Sequence, residues 1–536
     1  MNQQNTFRHF ATMIDCSRNA VMRPESVCRW ADLTSSLGFN TLMLYIEDLY
    51  EVDGHPYFGY GRGRYSKEEL KQISSYCSSK GMEFIPCIQT LAHVDGIVRW
   101  KEYSPYIDAN DILLIGDERT YSLIDGMFRT LSECCSSRIV NIGMDEAHFV
   151  GRGKYYDQHG DRDKTELLLE HLNRVAEIGK KYGFTLLMWS DMFYRIASGG
   201  DYYCVSDHLD LSVGKLIPDN VELVYWDYYT KDENRYHYMI ASHESMKPGT
   251  WFAGGSWTWG GFAPNNASSI ENTKSAISAC RKNNVQDVVL TLWGDDGGEC
   301  SRFTALPSLF YASQLAAGNT DDDDIRQKFE ARFGIQFDDF MLCDLPKPED
   351  RSKLCNKEKY LFYNDPFLGL LNSALSGDEQ AAYKEFARKL GSIPHNAYSM
   401  QFDTLQALCE VLAVKADLSQ RTRLAYSSGD RDQARILLAD YDAVIEKTEV
   451  FYEALREQWH AENKPQGFEV QDIRFGGVMQ RMKNCRRTLQ KYADGEIDVI
   501  PELEEETLPC IDTYMDGSYF NVWNRMVSPG RVVFVV

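Results

Sequence analysis

Eight short apolar runs, each followed by a stretch of helical or loop character, recur up to about residue 318 and constrain the fold more than any other feature. They are FATMID (10–15), TLMLYIE (41–47), EFIPCIQT (83–90) and IVNIGMD (139–145), then TLLMWSD (185–191), ELVYWDY (222–228), TWFAGGS (250–256) and DVVLTLWG (287–294). A strand that is apolar almost without alternation is one buried on both faces, as in a parallel sheet covered by helices. Amphipathic segments separate the runs: PESVCRWADLTSSLG from Pro24, KEELKQISSYCSSKG from Lys67, TELLLEHLNRVAEIGKKYG from Thr165 and SIENTKSAISACRKN from Ser269. Three of these or their flanks stop at Gly38, Gly81 and Gly183, where a helix C-terminal cap is expected. Eight β-then-α units predict an α/β fold of the (β/α)8 TIM-barrel kind. A doubly wound open sheet is the rival, but its first turn would be glycine-rich, and here that turn reads DCSRNAVMRP. Dinucleotide and P-loop chemistry therefore have no support.

Beyond the run DDDD at 321–324, read as a solvated boundary, strand patterns almost vanish. Ala434, Leu438, Tyr441, Ile445, Thr448, Tyr452, Leu455 and Trp459 recur at three- and four-residue steps. Phe402, Leu405, Leu408 and Leu412 do the same, as do Val478, Met482, Cys485 and Leu489. These are the apolar stripes of long packed helices. The expected organisation is a catalytic barrel over 1–318 and an α-helical domain over 319–536, with the last residues, SPGRVVFVV, as one extended strand against the body. A spare apolar face on those helices suits a homodimer.

Charge narrows the partners. With 57 Lys and Arg against 79 Asp and Glu, the net charge is −22, which repels phosphate backbones and anionic lipid. Neither nucleic acid nor a membrane is an expected partner, and no run approaches the length of a transmembrane helix. The opening MNQQNTFRHF has no apolar stretch of the secretory kind, and the fourteen cysteines lack C-x-x-C pairs. Reduced thiols and a cytoplasmic location follow as expectations.

In a barrel of this kind the functional groups gather where each strand ends and its loop begins. The run ends are polar in a consistent way: Asp15 to Arg18, Gln89 to His93 and Asp95, Asp145-Glu146 with His148, Trp189 to Asp191, Tyr225 to Tyr228, Trp257 to Trp259, and Trp293 to Asp296. Indoles stack on the C–H faces of sugars, and carboxylates and Arg bind their hydroxyls, so this ring suits a carbohydrate. The plain alternative makes the Trp residues plugs of the barrel end, and Asp145-Glu146 a helix cap or a salt bridge to Arg18 or Arg152. Adjacent strand residues point to opposite faces, so Asp145 is expected as the last inward residue and Glu146 as the first loop residue over the mouth. Two carboxylates so close should raise one pKa toward that of a general acid.

Asn141-Ile-Gly-Met-Asp145-Glu146 resembles the (H/N)-x-G-x-D-E signature of family 20 glycoside hydrolases, the β-N-acetylhexosaminidases. Asp15-Cys-Ser-Arg18 is similar to that family's D-x-x-R, which implies that Arg18 holds the O3 and O4 hydroxyls of a terminal sugar. His93 sits where the family has a His after strand 3, Trp189, Trp257 and Trp293 resemble its indole box, and Trp293-Gly-Asp295 resembles its W-x-E with Asp for Glu. The barrel-plus-helices layout resembles a bacterial subgroup. The sequence departs from the family in reading Gln-Thr-Leu-Ala-His93 where Pro-Gly-His is usual, and in starting its first strand near residue 10 without the small α/β domain that commonly comes before.

The resemblance implies exo-acting removal of terminal GlcNAc or GalNAc, with retention, from small oligosaccharides or glycoconjugates and without metal or cofactor. The substrate's 2-acetamido oxygen would be the nucleophile and close an oxazolinium ring. Glu146 would be the acid and then the base, Asp145 would accept the acetamido N–H, and Tyr228 or Tyr225 would bond the acetamido oxygen. A double-displacement glycosidase needs an acid after strand 7, and WFAGGSWTWGGF has none. A sugar-binding barrel without catalysis sits poorly with Arg18, Asp145, Glu146 and Trp293 all in place. Metal-dependent hydrolysis rests only on His93-Val-Asp95 and His148, without H-E-x-x-H.

Overall fold

The computed structural model describes residues 7–206, 208–347 and 356–508. Eight parallel strands close into a barrel in sequence order: β1 (His9–Asp15), β2 (Thr41–Tyr45), β3 (Glu83–Cys87), β4 (Ile139–Asn141), β5 (Thr185–Trp189), β6 (Val221–Trp226), β7 (Trp251–Gly255) and β8 (Asp287–Leu292). Closure comes from β1 pairing with β8, Ala11 opposite Val289 and Met13 opposite Thr291. The principal helix after each strand is α1 (Pro24–Ser36), α2 (Lys67–Ser79), α3 (Glu118–Cys134), α4 (Lys164–Lys181), α5 (Asp191–Ser198), α6 (Glu233–Met246), α7 (Asn266–Lys282) and α8 (Leu306–Ala316).

The two faces of the strands build two separate cores. Ala11, Met13, Met43, Tyr45, Ile85, Cys87, Leu187, Val224, Ala253 and Val289 fill the barrel interior. Their neighbours Phe10, Ile14, Leu42, Leu44, Phe84, Leu186, Leu223 and Phe252 pack outward under the helices. Burial on both sides explains the unbroken apolar runs.

All eight expected strands exist, but most leave the sheet earlier than their apolar runs. β4 ends at Asn141, four residues before Asp145, because Gly143 and Met144 take positive φ values of 71° and 68°. The residues left over become loop that aims side chains across the barrel mouth.

After α8 the described chain is helical. The acidic run does more than mark a boundary: Asp321 caps α9 (Asp322–Phe333) by accepting the Asp323 and Asp324 N–H groups, and its acids lie at the positive end of the helix dipole. Then follow α10 (Lys357–Tyr363), α11 (Glu379–Leu390), α12 (Ser399–Lys415), α13 (Leu418–Ser427), α14 (Arg431–Glu462) and α15 (Phe468–Ala493). Helix α11 packs on α12, α12 on α14, and α14 on α15. The strand expected at 528–536 lies outside the described residues. No helix among the described residues is long and apolar enough to cross a membrane.

The helices meet the barrel at its C-terminal face. Lys464 N–H donates to Val21 C=O at 2.7 Å and Arg23 N–H to Glu462 C=O at 3.0 Å, so the loop after β1 is hydrogen-bonded to the turn between α14 and α15.

Candidate active site

The loop after β4 holds the two acids, and Gln89 shapes it. The Gln89 amide donates to Asp145 Oδ1 at 2.7 Å and to the Tyr45 hydroxyl at 2.6 Å, while its oxygen accepts the Met144 N–H at 3.1 Å. A side chain at Gly143 would collide with Gln89, so glycine is required there on steric grounds as well as by its φ. Asp145 points inward, 13% exposed, and Glu146 leans over the mouth with its side chain 46% exposed. No helix starts until Lys154, and Arg152 pairs with Asp161, so the acids form neither a helix cap nor an Arg152 salt bridge.

His93, itself at φ 52°, faces both acids: its Nε2 is 3.2 Å from Asp145 Oδ2 and 3.6 Å from Glu146 Oε2. Burial disfavours the imidazolium, but the Asp145 charge outweighs it and the His93 pKa is pushed up to about 10. Burial likewise pushes Asp145 upward, yet His93, Gln89 and Arg18 prevail and hold it below the ordinary carboxylate value.

The raised pKa expected within the acid pair therefore does not fall on Asp145. A third acid, Asp191, just past β5, is raised, and its burial and nearness to Asp145 push it up to about 7. Asp191 is fully buried and accepts the Glu146 backbone N–H at 3.0 Å, which fixes the left-handed Glu146 (φ 50°) in place. In the sequence Asp191 shows only as a polar strand end, and its burial behind Glu146 depends on contacts 45 residues apart.

Arg18 stands across the cup, its side chain 19% exposed. It lies 3.6 Å from Asp15, 3.7 Å from Glu47 and 3.7 Å from Asp295, and its guanidinium sits over the rings of Tyr45 and Trp293 at 4.9 and 5.1 Å. Asp15 in turn accepts the Gly294 and Ser17 N–H groups, tying the ends of β8 and β1 together. Burial pushes Glu47 up to about 7 and raises Asp295 as well, although Arg18 opposes both shifts. Glu47 and Tyr45, at the end of β2, were absent from the sequence-based set. Their signal was position alone, since the run TLMLYIE shows one acid at its end.

Aromatic rings make the wall. Trp189 and Trp293 are 6.0 Å apart, and the Trp189 indole N–H is buried without a partner, a donor aimed at no protein group. The Tyr228 hydroxyl faces Trp293 and Thr291, and its ring stacks on Trp226 at 5.4 Å. Trp257 stacks face to face on Trp259 at 4.5 Å, and Trp259 meets Tyr228 edge-on. Trp226 and Trp259 join the set through this packing.

Tyr225 does not. It points out of the barrel into the helix layer, against His243 and Phe252, with its hydroxyl donated to Asp227 at 3.0 Å. Successive residues alternate along β6, so Val224, Trp226 and Tyr228 face the cup and Tyr225 cannot.

A carboxyl does lie beside the loop after β7, but it is not accessible. Glu358, from α10, accepts the Phe262 N–H at 3.3 Å but is shut off from solvent. His148 and Asp95 are both exposed, and among the described residues no group of three or more His, Cys, Asp and Glu is placed to hold a metal ion.

Two family models match the chain. The glycosyl hydrolase family 20 catalytic domain covers residues 7–291, and the Glycoside Hydrolase 20C C-terminal domain covers residues 337–521. The chain is similar to hexosaminidase D of Bos taurus, 25% identical over 275 residues that make up 49% of this chain and 75% of that protein. It is also similar to hexosaminidase D of Homo sapiens, 22% identical over 330 residues, 56% of this chain and 64% of that one. Among solved structures it resembles a GH20 exo-β-N-acetylglucosaminidase from Vibrio harveyi in complex with N-acetylglucosamine. There the identity is 15% and the TM-score 0.47, over 63% of this chain and 58% of that chain. The match thus spans less than two thirds of the human and Vibrio proteins.

Proposed function

The chain belongs to glycosyl hydrolase family 20, and from that premise we propose that it removes terminal β-linked N-acetylhexosamine residues from small oligosaccharides or glycoconjugates by substrate-assisted catalysis. The observation that carries this reading is the asymmetry of the two acids. Asp145 is enclosed, held charged and oriented by His93 and Gln89, while Glu146, 3.6 Å from the same His93, is the solvent-exposed acid at the mouth.

An oriented, ionised Asp145 suits an acetamido N–H. It aligns the acetamido oxygen for attack on the anomeric carbon and stabilises positive charge as the oxazolinium ring closes. Glu146 protonates the leaving oxygen, then takes a proton from the water that reopens the ring, so configuration is retained. Tyr228 donates to the acetamido oxygen from the aromatic wall. Two-carboxylate retaining enzymes set their acids about 5 Å apart on opposite sides of the anomeric carbon, with one as nucleophile. Here both acids lie on one loop and the substrate supplies the nucleophile. Arg18 and Asp295 suit the sugar hydroxyls remote from the anomeric carbon, and the Trp293 ring against the Arg18 guanidinium favours a chain end over an internal sugar.

A panel of nitrophenyl glycosides tests this. N-acetylglucosaminide or N-acetylgalactosaminide should turn over, and the 2-hydroxy glucoside should be almost inert. Intramolecular attack can carry an effective molarity of roughly 10⁵ M or more, and the glucoside forgoes it. A thiazoline derived from N-acetylglucosamine should bind far tighter than substrate. Comparable turnover of glucoside, or a trapped covalent glycosyl-enzyme, would overturn the mechanism.

Two further expectations complete the proposal. Cytoplasmic residence is supported by the free state of every described cysteine. Pairing of two copies is supported by apolar side chains exposed on the helical region, among them Leu424, Ile436 and Val450. Fractionation in a native host and the mass in solution scattering at micromolar concentration test these in turn; a secreted product or a monomer would overturn them.

A further inference from the structure

Three charged side chains are buried together where the helical region meets the loop after β8. The side chains of Glu299 and Lys359 have no exposure and that of Arg474 only 3%. Lys359 Nζ lies 2.7 Å from Glu299 Oε2, and Arg474 Nη1 lies 2.5 Å from Glu299 Oε1. Removing such charges from water is expensive, and an apolar contact would serve stability equally well. What the ions add is direction. Lys359 and Arg474 both donate to the Asp296 carbonyl, at 3.1 and 2.7 Å, one residue from Asp295. Asp296 is a non-glycine residue at φ 68°, a strained conformation that needs such surroundings to persist.

The partner loop is held from the same side. Asn19, next to Arg18, donates to Gly467 C=O at 2.8 Å and to Gly297 C=O at 3.4 Å, so one amide bridges the β1 loop, the β8 loop and the α14–α15 turn. Gly467 has φ 98°, and a side chain there would strike the Asn19 backbone oxygen.

We propose that the helical region sets sugar specificity: Lys359, Arg474 and the Gly467 turn are positioning elements that fix Asp295 against Arg18, and thereby the discrimination among sugars differing at the O4 hydroxyl. The inference rests on the function proposed above, because it takes Arg18 and Asp295 as the groups that read the hydroxyls. The barrel supplies the two side chains, and the helices supply the spacing between them.

The test uses the full chain and three nitrophenyl substrates: the N-acetylglucosaminide, its galacto epimer and the 4-deoxy analogue. Arg474→Met should raise KM on the preferred epimer roughly tenfold, with kcat changed far less, because binding of a remote hydroxyl is lost rather than chemistry. The epimer ratio in kcat/KM should collapse by about the same factor, and the 4-deoxy substrate, which lacks the group being read, should change little. Arg474→Lys should recover part of the ratio. Asn19→Gly provides a milder second variant, since glycine accepts the φ of 94° and only the bridging amide is removed. It should show the same signature, smaller, even where Arg474→Met fails to fold. Equal losses on all three substrates, or an unchanged epimer ratio in folded variants, would overturn the inference while leaving the function intact. A wild-type protein inert on every N-acetylhexosaminide would overturn both.

Discussion

His93 Nε2 lies 3.2 Å from Asp145 Oδ2, and each group holds the other in its charged form. The pair explains how a mostly enclosed carboxylate stays ionised beside a second acid. It also makes the charge state of Asp145 depend on a residue of a different strand.

Replacing His93 by Gln should therefore raise the Asp145 pKa, since the largest opposing influence on its burial disappears. The acid limb of the kcat/KM profile should move to higher pH. In the wild type the raised His93 pKa, about 10, favours the fold most fully below about 6.5, and that stabilisation is lost as pH rises through about 10. The lowered Asp145 pKa acts in the opposite direction, stabilising above its ordinary value and losing effect in acid. Both contributions thus survive near neutrality. An acid limb unmoved by the substitution would show that Asp145 does not need His93.

Glu146→Gln should slow substrates with poor leaving groups by about 10²–10⁴-fold, the usual worth of a positioned acid. Aryl glycosides with acidic leaving groups need little protonation and should suffer less. A Brønsted plot of rate against leaving-group pKa checks this; equal losses along the series would remove Glu146 from the acid role.

The two tyrosines at the end of β6 and just past it separate cleanly. Tyr228→Phe should cut kcat on N-acetylhexosaminides by about one to two orders of magnitude, because the acetamido oxygen loses the donor that holds it in line for attack. Tyr225→Phe should leave kcat nearly intact and cost about 1 kcal/mol of stability through its lost bond to Asp227. Parallel kinetics and urea melts of the two variants measure both, and the reverse pattern would contradict the observed direction of the strand.

Asp191→Asn should stabilise the protein at alkaline pH. A carboxyl raised to about 7 binds its proton more tightly in the folded state, so its favourable contribution is full below about 3.8 and is lost as pH rises through 7. Above that the wild type carries a buried negative charge beside Asp145, which the amide removes while its oxygen still accepts the Glu146 N–H. The Tm difference between variant and wild type should grow from pH 4 to 7 and then level off. A difference independent of pH would mean that Asp191 does not titrate in this range.

Much of this protein is written locally. Strand burial on both faces appears as unbroken apolar runs, and helices appear as stripes at three- and four-residue steps, because each pattern depends on neighbours within a few residues. The same locality made Asp15–Arg18, Asp145-Glu146, Trp189 and Trp293–Asp295 recognisable at their strand ends. What the tertiary structure decided are properties with remote causes. Tyr225 and Tyr228 were both eligible until closure of the barrel fixed which residues of β6 face inward. Asp145 is lowered and Asp191 raised because one has His93 beside it and the other is buried with Asp145 for company, across separations that no sequence window spans. The spacing of Arg18 and Asp295 is held by Asn19, Lys359, Arg474 and Gly467, brought together from opposite ends of the chain. Electrostatics and steric fit act through space, so these features existed only once the chain had folded.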